Sequence, residues 1–184
     1  MTETSPSPEP RQERASVGPA DLLTVARLPL AAAFVAVPGA AARLAILATA
    51  ALTDMVDGWL ARRTGGSRFG SVLDPVADKL FMAAAFGVVL ASGRLAWYEV
   101  VAALIRDLVA TAAFLYTALF DRPSAIPARL GGKAVTVLQV LTLVAFIADS
   151  RLLQPLTWAT GAVALYAIYD YARAAPLDRR PLGA

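Results

Sequence analysis

Six apolar stretches, near residues 20–38, 41–62, 70–91, 95–119, 132–149 and 153–174, take up most of this 184-residue chain. The breaks between them read "PGAA", "RTGGSR", "SGR", "DRPSAIPARLGG" and "ADSR". Gly, Pro and Ser at such breaks stop helices. At about 1.5 Å of rise per residue, each stretch is long enough to cross a hydrocarbon core of about 30 Å. The mean hydropathy of +0.58 is high for an ordinary soluble domain. The expected fold class is therefore an all-α integral membrane protein with six transmembrane helices over residues 19–175. Residues 1–18, "MTETSPSPEPRQERASVG", are too polar to bury a core and are expected to form a disordered tail. They contain no apolar signal-peptide region, so the tail is expected in the cytoplasm. Residues 176–184 form a short C-terminal tail on the same side.

Basic residues orient such a bundle. With six spans, the N-tail, the 63–69 loop, the 120–131 loop and the C-tail lie on one side. That side carries Arg11, Arg14, Arg62, Arg63, Arg68, Arg122, Arg129, Lys133, Arg173, Arg179 and Arg180. The other side carries Arg43, Arg94 and Arg151. The imbalance places both termini in the cytoplasm of a cell whose membrane the chain spans. A net charge of +3, spread this way, does not call for a nucleic-acid partner.

Into this apolar background residues 54–79, "DMVDGWLARRTGGSRFGSVLDPVADK", place four acids. Asp54 and Asp57 are three apart and share a helix face near the cytoplasmic end of the second segment. Asp74 and Asp78 are four apart and share a face near the cytoplasmic start of the third. A short loop makes these segments an antiparallel hairpin, so the four carboxylates reach similar depth and face one another. Four anions in a low-dielectric layer must be protonated or share a cation. The chain has neither His nor Cys, so a metal site here is all oxygen. Such a site suits Mg²⁺, Mn²⁺ or Ca²⁺ rather than Zn²⁺. Four carboxylates have the capacity for two ions.

Small residues flank the acids. Gly58 and Ala61 leave bare helix surface after Asp57, and Gly70 does the same at the start of the third segment. Arg62 points to the same mouth and is suited to clamp a phosphate. Metal-binding acids, a basic clamp and open backbone together describe a pyrophosphate site at a membrane surface.

The spaced residues Asp54-x-x-Asp57-Gly58-x-x-Ala61-Arg62 and Gly70-x-x-x-Asp74-x-x-x-Asp78 resemble the signature of the CDP-alcohol phosphatidyltransferases. Seven residues, Arg63 to Phe69, separate the two halves, where the family pattern usually has eight. The deletion falls in the loop, so a changed loop path is expected and an intact site. The resemblance covers nearly all of the chain after residue 18. It implies attack by an acceptor hydroxyl on the lipid-bearing phosphorus of CDP-diacylglycerol, with departure of CMP. It further implies that Asp54, Asp57, Asp74 and Asp78 ligate Mg²⁺ or Mn²⁺, two ions in all, and that Asp78 is the general base. Gly58, Ala61, Arg62, Ser67 and Gly70 match positions that line the CDP group, and Asp21 and Thr24 match a stretch at the start of the first helix. A homodimer embedded among membrane lipids is also implied.

The acceptor is read less directly. "LDPVADK" resembles the bacterial branch that makes phosphatidylglycerol phosphate or, by a CMP-releasing route, cardiolipin. "GGKAVTVLQVLTLV" and the last helix look closer to the cardiolipin-forming branch, which favours phosphatidylglycerol as acceptor over glycerol 3-phosphate. Arg27, Arg106 and Lys133 are the candidate contacts to an acceptor phosphate. Arg106 lies in mid-helix and needs an interior partner. Asp107 is next in sequence but points about 100° away around the helix, so it is expected to be a poor one. Two other classes use intramembrane acids with metal: a divalent-cation transporter and a prenyltransferase. Acids near one face rather than at mid-membrane argue against the transporter. Six spans are few for the prenyltransferase.

Overall fold

A computed structural model of the chain describes residues 19–64, 70–119 and 130–174. These form six helices: α1 (Pro19–Ala36), α2 (Ala40–Thr64), α3 (Gly70–Ala91), α4 (Trp97–Leu119), α5 (Leu130–Ile147) and α6 (Leu153–Ala174). The bounds agree with the expected segments to within about two residues, because the Gly and Pro breaks fall where the apolar runs end. The expected tails and the 63–69 loop path lie wholly or largely outside the described residues.

Helix ends follow local chemistry. After α3, Gly93 takes a left-handed φ of 70° and its N–H bonds the Leu90 carbonyl at 3.0 Å, a glycine-type C-terminal stop. After α5, Asp149 adopts φ 51°, a conformation that Asp tolerates better than most residues. Ser150 N–H then bonds back to the Ala145 carbonyl at 2.9 Å. At the start of α4, the Ala96 N–H donates to Glu99 Oε2 at 2.9 Å, as in a capping box. Gln154 of α6 donates to Glu99 Oε1 at 3.0 Å, so one carboxylate closes α4 and ties it to α6. Glu99→Ala removes both bonds. It is expected to lower stability by about 1–2 kcal/mol, read as a lower thermal midpoint in detergent. An unchanged midpoint would contradict this account of the cap.

Packing divides the bundle into two trios. Helix α1 packs mainly on α2 and α3, and α6 mainly on α4 and α5. Contacts between trios are fewer and run from α3 to α4 and α5 and from α2 to α5. One apolar core joins them, with Phe34, Phe81, Phe86, Val89 and Leu143 among its buried side chains. Phe34 and Phe81 meet edge to face with centroids 5.9 Å apart, a favoured aromatic geometry. Small residues bring the second trio close. A Cβ on Gly161 would stand 3.3 Å from the Ala102 Cβ, and one on Gly131 3.2 Å from that of Ala167. Buried Thr157 and Thr160 bond the carbonyls of Leu153 and Leu156 in their own helix, so their hydroxyls are satisfied inside the bundle.

Among the described residues no helix is long and apolar enough to cross a membrane. Many apolar side chains nevertheless face outward, including Leu22, Val35, Leu108, Val137, Leu165 and Tyr166. Charges that interrupt the apolar runs pair between α1 and α2, at Arg27, Asp54 and Asp57, and between α3 and α4, at Lys79, Arg106 and Asp107, and these build the site described next.

Candidate active site

Among the described residues α2 and α3 pack on α1 rather than on each other, so the expected facing hairpin is replaced by an arrangement in which the acids of α2 stand beside α1. Arg27 of α1 is only 2% exposed. Its Nη2 donates to Asp57 Oδ2 and lies 3.1 Å from Asp54 Oδ1. The three-residue spacing of the aspartates is what lets one guanidinium nitrogen meet both. Asp57 is buried, whereas the Asp54 side chain is 59% exposed. The pair thus forms a floor and a rim. Arg27 Nε and Nη1 are buried with no hydrogen-bond partner among the described residues. Thr24, one turn earlier on α1, is fully buried. Asp78 of α3 is half-buried and within electrostatic reach of Asp54, Arg27, Lys79 and Asp107.

A second cluster lies on the other trio. Asp107 of α4 is buried and gathers three donors. Lys79 of α3 donates to its Oδ1, and Arg106 Nη1 stands 3.1 Å from the same oxygen. Gln139 Nε2 of α5 donates to Oδ2 at 2.6 Å and to the Ala103 carbonyl at 2.9 Å. Lys79 and Asp78 are adjacent in α3, so the Lys79–Asp107 pair links the acidic cluster to the second trio. Arg106 lies against α5 at Gly132, where an added Cβ would overlap Nη2 and stand 3.2 Å from Cζ and from the Tyr171 hydroxyl. Lys133, beside Gly132, is exposed.

These positions revise one expectation. Asp107 is a partner of Arg106 after all. The 100° offset applies to the Cα–Cβ directions, and the long arginine side chain sweeps back across it. Arg27 meets Asp54 and Asp57, a pairing that adds to its expected role rather than testing it. Its pairing across helices has no local sequence signal. Gln139, a lone amide inside the apolar run "VTVLQVLTLV", was the available signal for the second cluster. Gly58 is half-buried next to Asp57. The side chains of Asp21, Ala61, Arg62 and Asp74, together with Ser67, lie outside the described residues. Gly70 opens α3 and is placed by its backbone alone.

Among the described residues no three acids gather into a metal-binding group. Asp54 and Asp57 do converge on one cationic nitrogen, so their oxygens can share a cation. Two carboxylates so placed are hard oxygen donors, a chemistry that fits Mg²⁺ or Mn²⁺.

Residues 19–168 match the sequence model of the CDP-alcohol phosphatidyltransferase family. A protein of Mycobacterium tuberculosis (strain H37Rv) named "Probable phosphatidylglycerophosphate synthase" is 39% identical over 104 residues, 56% of this chain and 48% of that protein. The Escherichia coli K12 protein named "CDP-diacylglycerol--glycerol-3-phosphate 3-phosphatidyltransferase" is 37% identical over 101 residues, 53% of this chain and 56% of its own length. A protein of Sodalis glossinidius with the same name is 36% identical over 105 residues, 55% and 58% of the two chains. The chain thus spans about half the length of the curated relatives it matches.

Proposed function

The chain belongs to the CDP-alcohol phosphatidyltransferase family, and we propose that it transfers a phosphatidyl group from CDP-diacylglycerol to glycerol 3-phosphate with release of CMP. The observation that carries this reading is that Asp54 and Asp57 converge on buried Arg27, while Asp78, within electrostatic reach of Asp54, is followed in α3 by Lys79, which meets Arg106 on Asp107 of the second trio. The aspartates suit a metal-bound pyrophosphate, and Lys79 and Arg106 suit the phosphate of an acceptor.

In this proposal Asp54, Asp57, Asp74 and Asp78 hold Mg²⁺ or Mn²⁺. The metal, when bound, polarises the pyrophosphate and stabilises the departing CMP. Asp78 takes the proton from the acceptor hydroxyl as its oxygen bonds the lipid-bearing phosphorus and the bond to CMP breaks. Thr24, Asp21, Gly58, Ala61, Arg62, Ser67 and Gly70 line the nucleotide. Buried Arg27 neutralises Asp54 and Asp57 and fixes their geometry, which keeps the floor of the site intact before substrate enters.

Glycerol 3-phosphate replaces phosphatidylglycerol as the favoured acceptor, reversing the order suggested by "GGKAVTVLQVLTLV". The names of the relatives support this, and so does the charge. A phosphomonoester brings close to two negative charges at neutral pH, and Arg106 and Lys79, gathered on Asp107, suit them. Phosphatidylglycerol brings a singly charged diester. Purified protein in vesicles with CDP-diacylglycerol and Mg²⁺ should yield phosphatidylglycerol phosphate by mass when given glycerol 3-phosphate. Cardiolipin formation from added phosphatidylglycerol, without that product, would overturn the acceptor.

The proposal includes six membrane spans, with both termini and the site at the cytoplasmic face of a bacterial membrane, and a homodimer. The outward Leu, Val and Tyr side chains would face lipid, where they carry no aggregation liability. Trp97, Tyr98 and Trp158 cluster at the start of α4, with neighbouring ring centroids 5.9 and 6.5 Å apart. That end lies away from Asp78, as an aromatic belt at the opposite interface requires. Crosslinking in native membranes tests the dimer.

A further inference from the structure

Arg106 is held by its surroundings on several sides. Asp107 Oδ1 fixes Nη1 at 3.1 Å. That carboxylate cannot swing away, because Lys79 takes the same oxygen and Gln139 takes the other. Gln139 is itself anchored, 1% exposed and bonded to the Ala103 carbonyl. The remaining wall is the backbone of α5. A Cβ on residue 132 would overlap Nη2, so a side chain there would force the guanidinium to shift. Arg106 Nε is buried with no hydrogen-bond partner among the described residues. The half-buried group is therefore oriented, and part of its donor capacity is unspent.

We propose that Gly132, Asp107 and Gln139 are positioning residues that set the Arg106 guanidinium for the phosphate of the acceptor. The proposal rests on the phosphatidyltransferase reading above and assigns its acceptor affinity to three residues that do not touch the acceptor. A fixed planar fork gives a charge-assisted, directional contact to phosphate. A fork free to rotate loses that geometry while keeping its charge.

Gly132→Ala tests this sharply, because alanine is the better helix former. A glycine kept only as part of a helix would tolerate the change or gain from it. With the full chain in vesicles, the variant is expected to raise KM for glycerol 3-phosphate about tenfold. KM for CDP-diacylglycerol should stay within about twofold, and kcat should change little, the pattern of lost acceptor binding. In an Arg106→Met background the same Gly132→Ala change should add nothing, since its effect runs through Arg106. Equal shifts in both KM values, no shift in the acceptor KM, or a full further loss in the Arg106→Met background would each overturn the proposal. If Gly132→Ala does not fold, Gln139→Leu enters the same cycle with the same expected and contrary results. Absence of turnover in the wild type would contradict the proposed function instead. Positioning is then judged by thermal midpoint in detergent. Glycerol 3-phosphate should raise it for the wild type and not for the variant, and no rise for the wild type overturns the positioning as well.

Discussion

Replacing Asp78 with asparagine is expected to cut CMP release by about 10²–10⁴-fold, the usual contribution of a general base. Asparagine keeps the shape of the side chain and its place on α3, but it cannot accept the acceptor's proton. Asp54, Asp57 and Arg27 lie on other helices, so the floor that would hold the nucleotide stays in place. Nucleotide affinity, measured directly with a CDP-lipid analogue, should therefore fall far less than turnover. Near-normal CMP release from Asp78→Asn would show that the base lies elsewhere.

The second large effect concerns stability. Asp57→Ala takes from Arg27, a guanidinium 2% exposed, its buried carboxylate partner and leaves the rim carboxylate of Asp54 at 3.1 Å. Removing one member of a buried pair costs about 3–5 kcal/mol, because the other charge stays buried and unpaired. Asp54→Ala removes a partner whose side chain is 59% exposed, and such a loss is worth about 1 kcal/mol or less. The two variants remove the same chemical group three residues apart on one helix. Thermal denaturation in detergent, without added metal, should show a much larger fall in midpoint for Asp57→Ala. Equal falls would mean that the floor-and-rim arrangement does not describe the pair.

The helices were legible because their signal is local. Each apolar run ends at a Gly or Pro break, and the bounds of α3 and α6 coincide with the segments read from sequence. The shared face of Asp54 and Asp57 was legible for a related reason, since a spacing of three places side chains on one face wherever the helix packs. What could not be read depends on partners distant in sequence. Arg27 and Asp57 are 30 residues apart, and Gln139 and Asp107 are 32 apart. Neither pairing leaves a mark near either residue. The error over Arg106 and Asp107 has a different cause. The directions of Cα–Cβ bonds around a helix do not place a guanidinium that sits several rotatable bonds further out. Acceptor choice was the least legible part. In "GGKAVTVLQVLTLV" Gly132 and Gln139 matter through what they touch on α4, which the stretch itself does not show.

The central claim is that these two clusters carry out phosphatidyl transfer. The most direct measurement is CMP release by the purified full chain in vesicles. CDP-diacylglycerol, glycerol 3-phosphate and Mg²⁺ are supplied together and then omitted one at a time. The account predicts CMP release with all three and almost none when any one is missing. No CMP with all three present, alongside Mg²⁺ flux across the vesicle membrane without nucleotide, would contradict it and point to an ion-conducting role for the same aspartates.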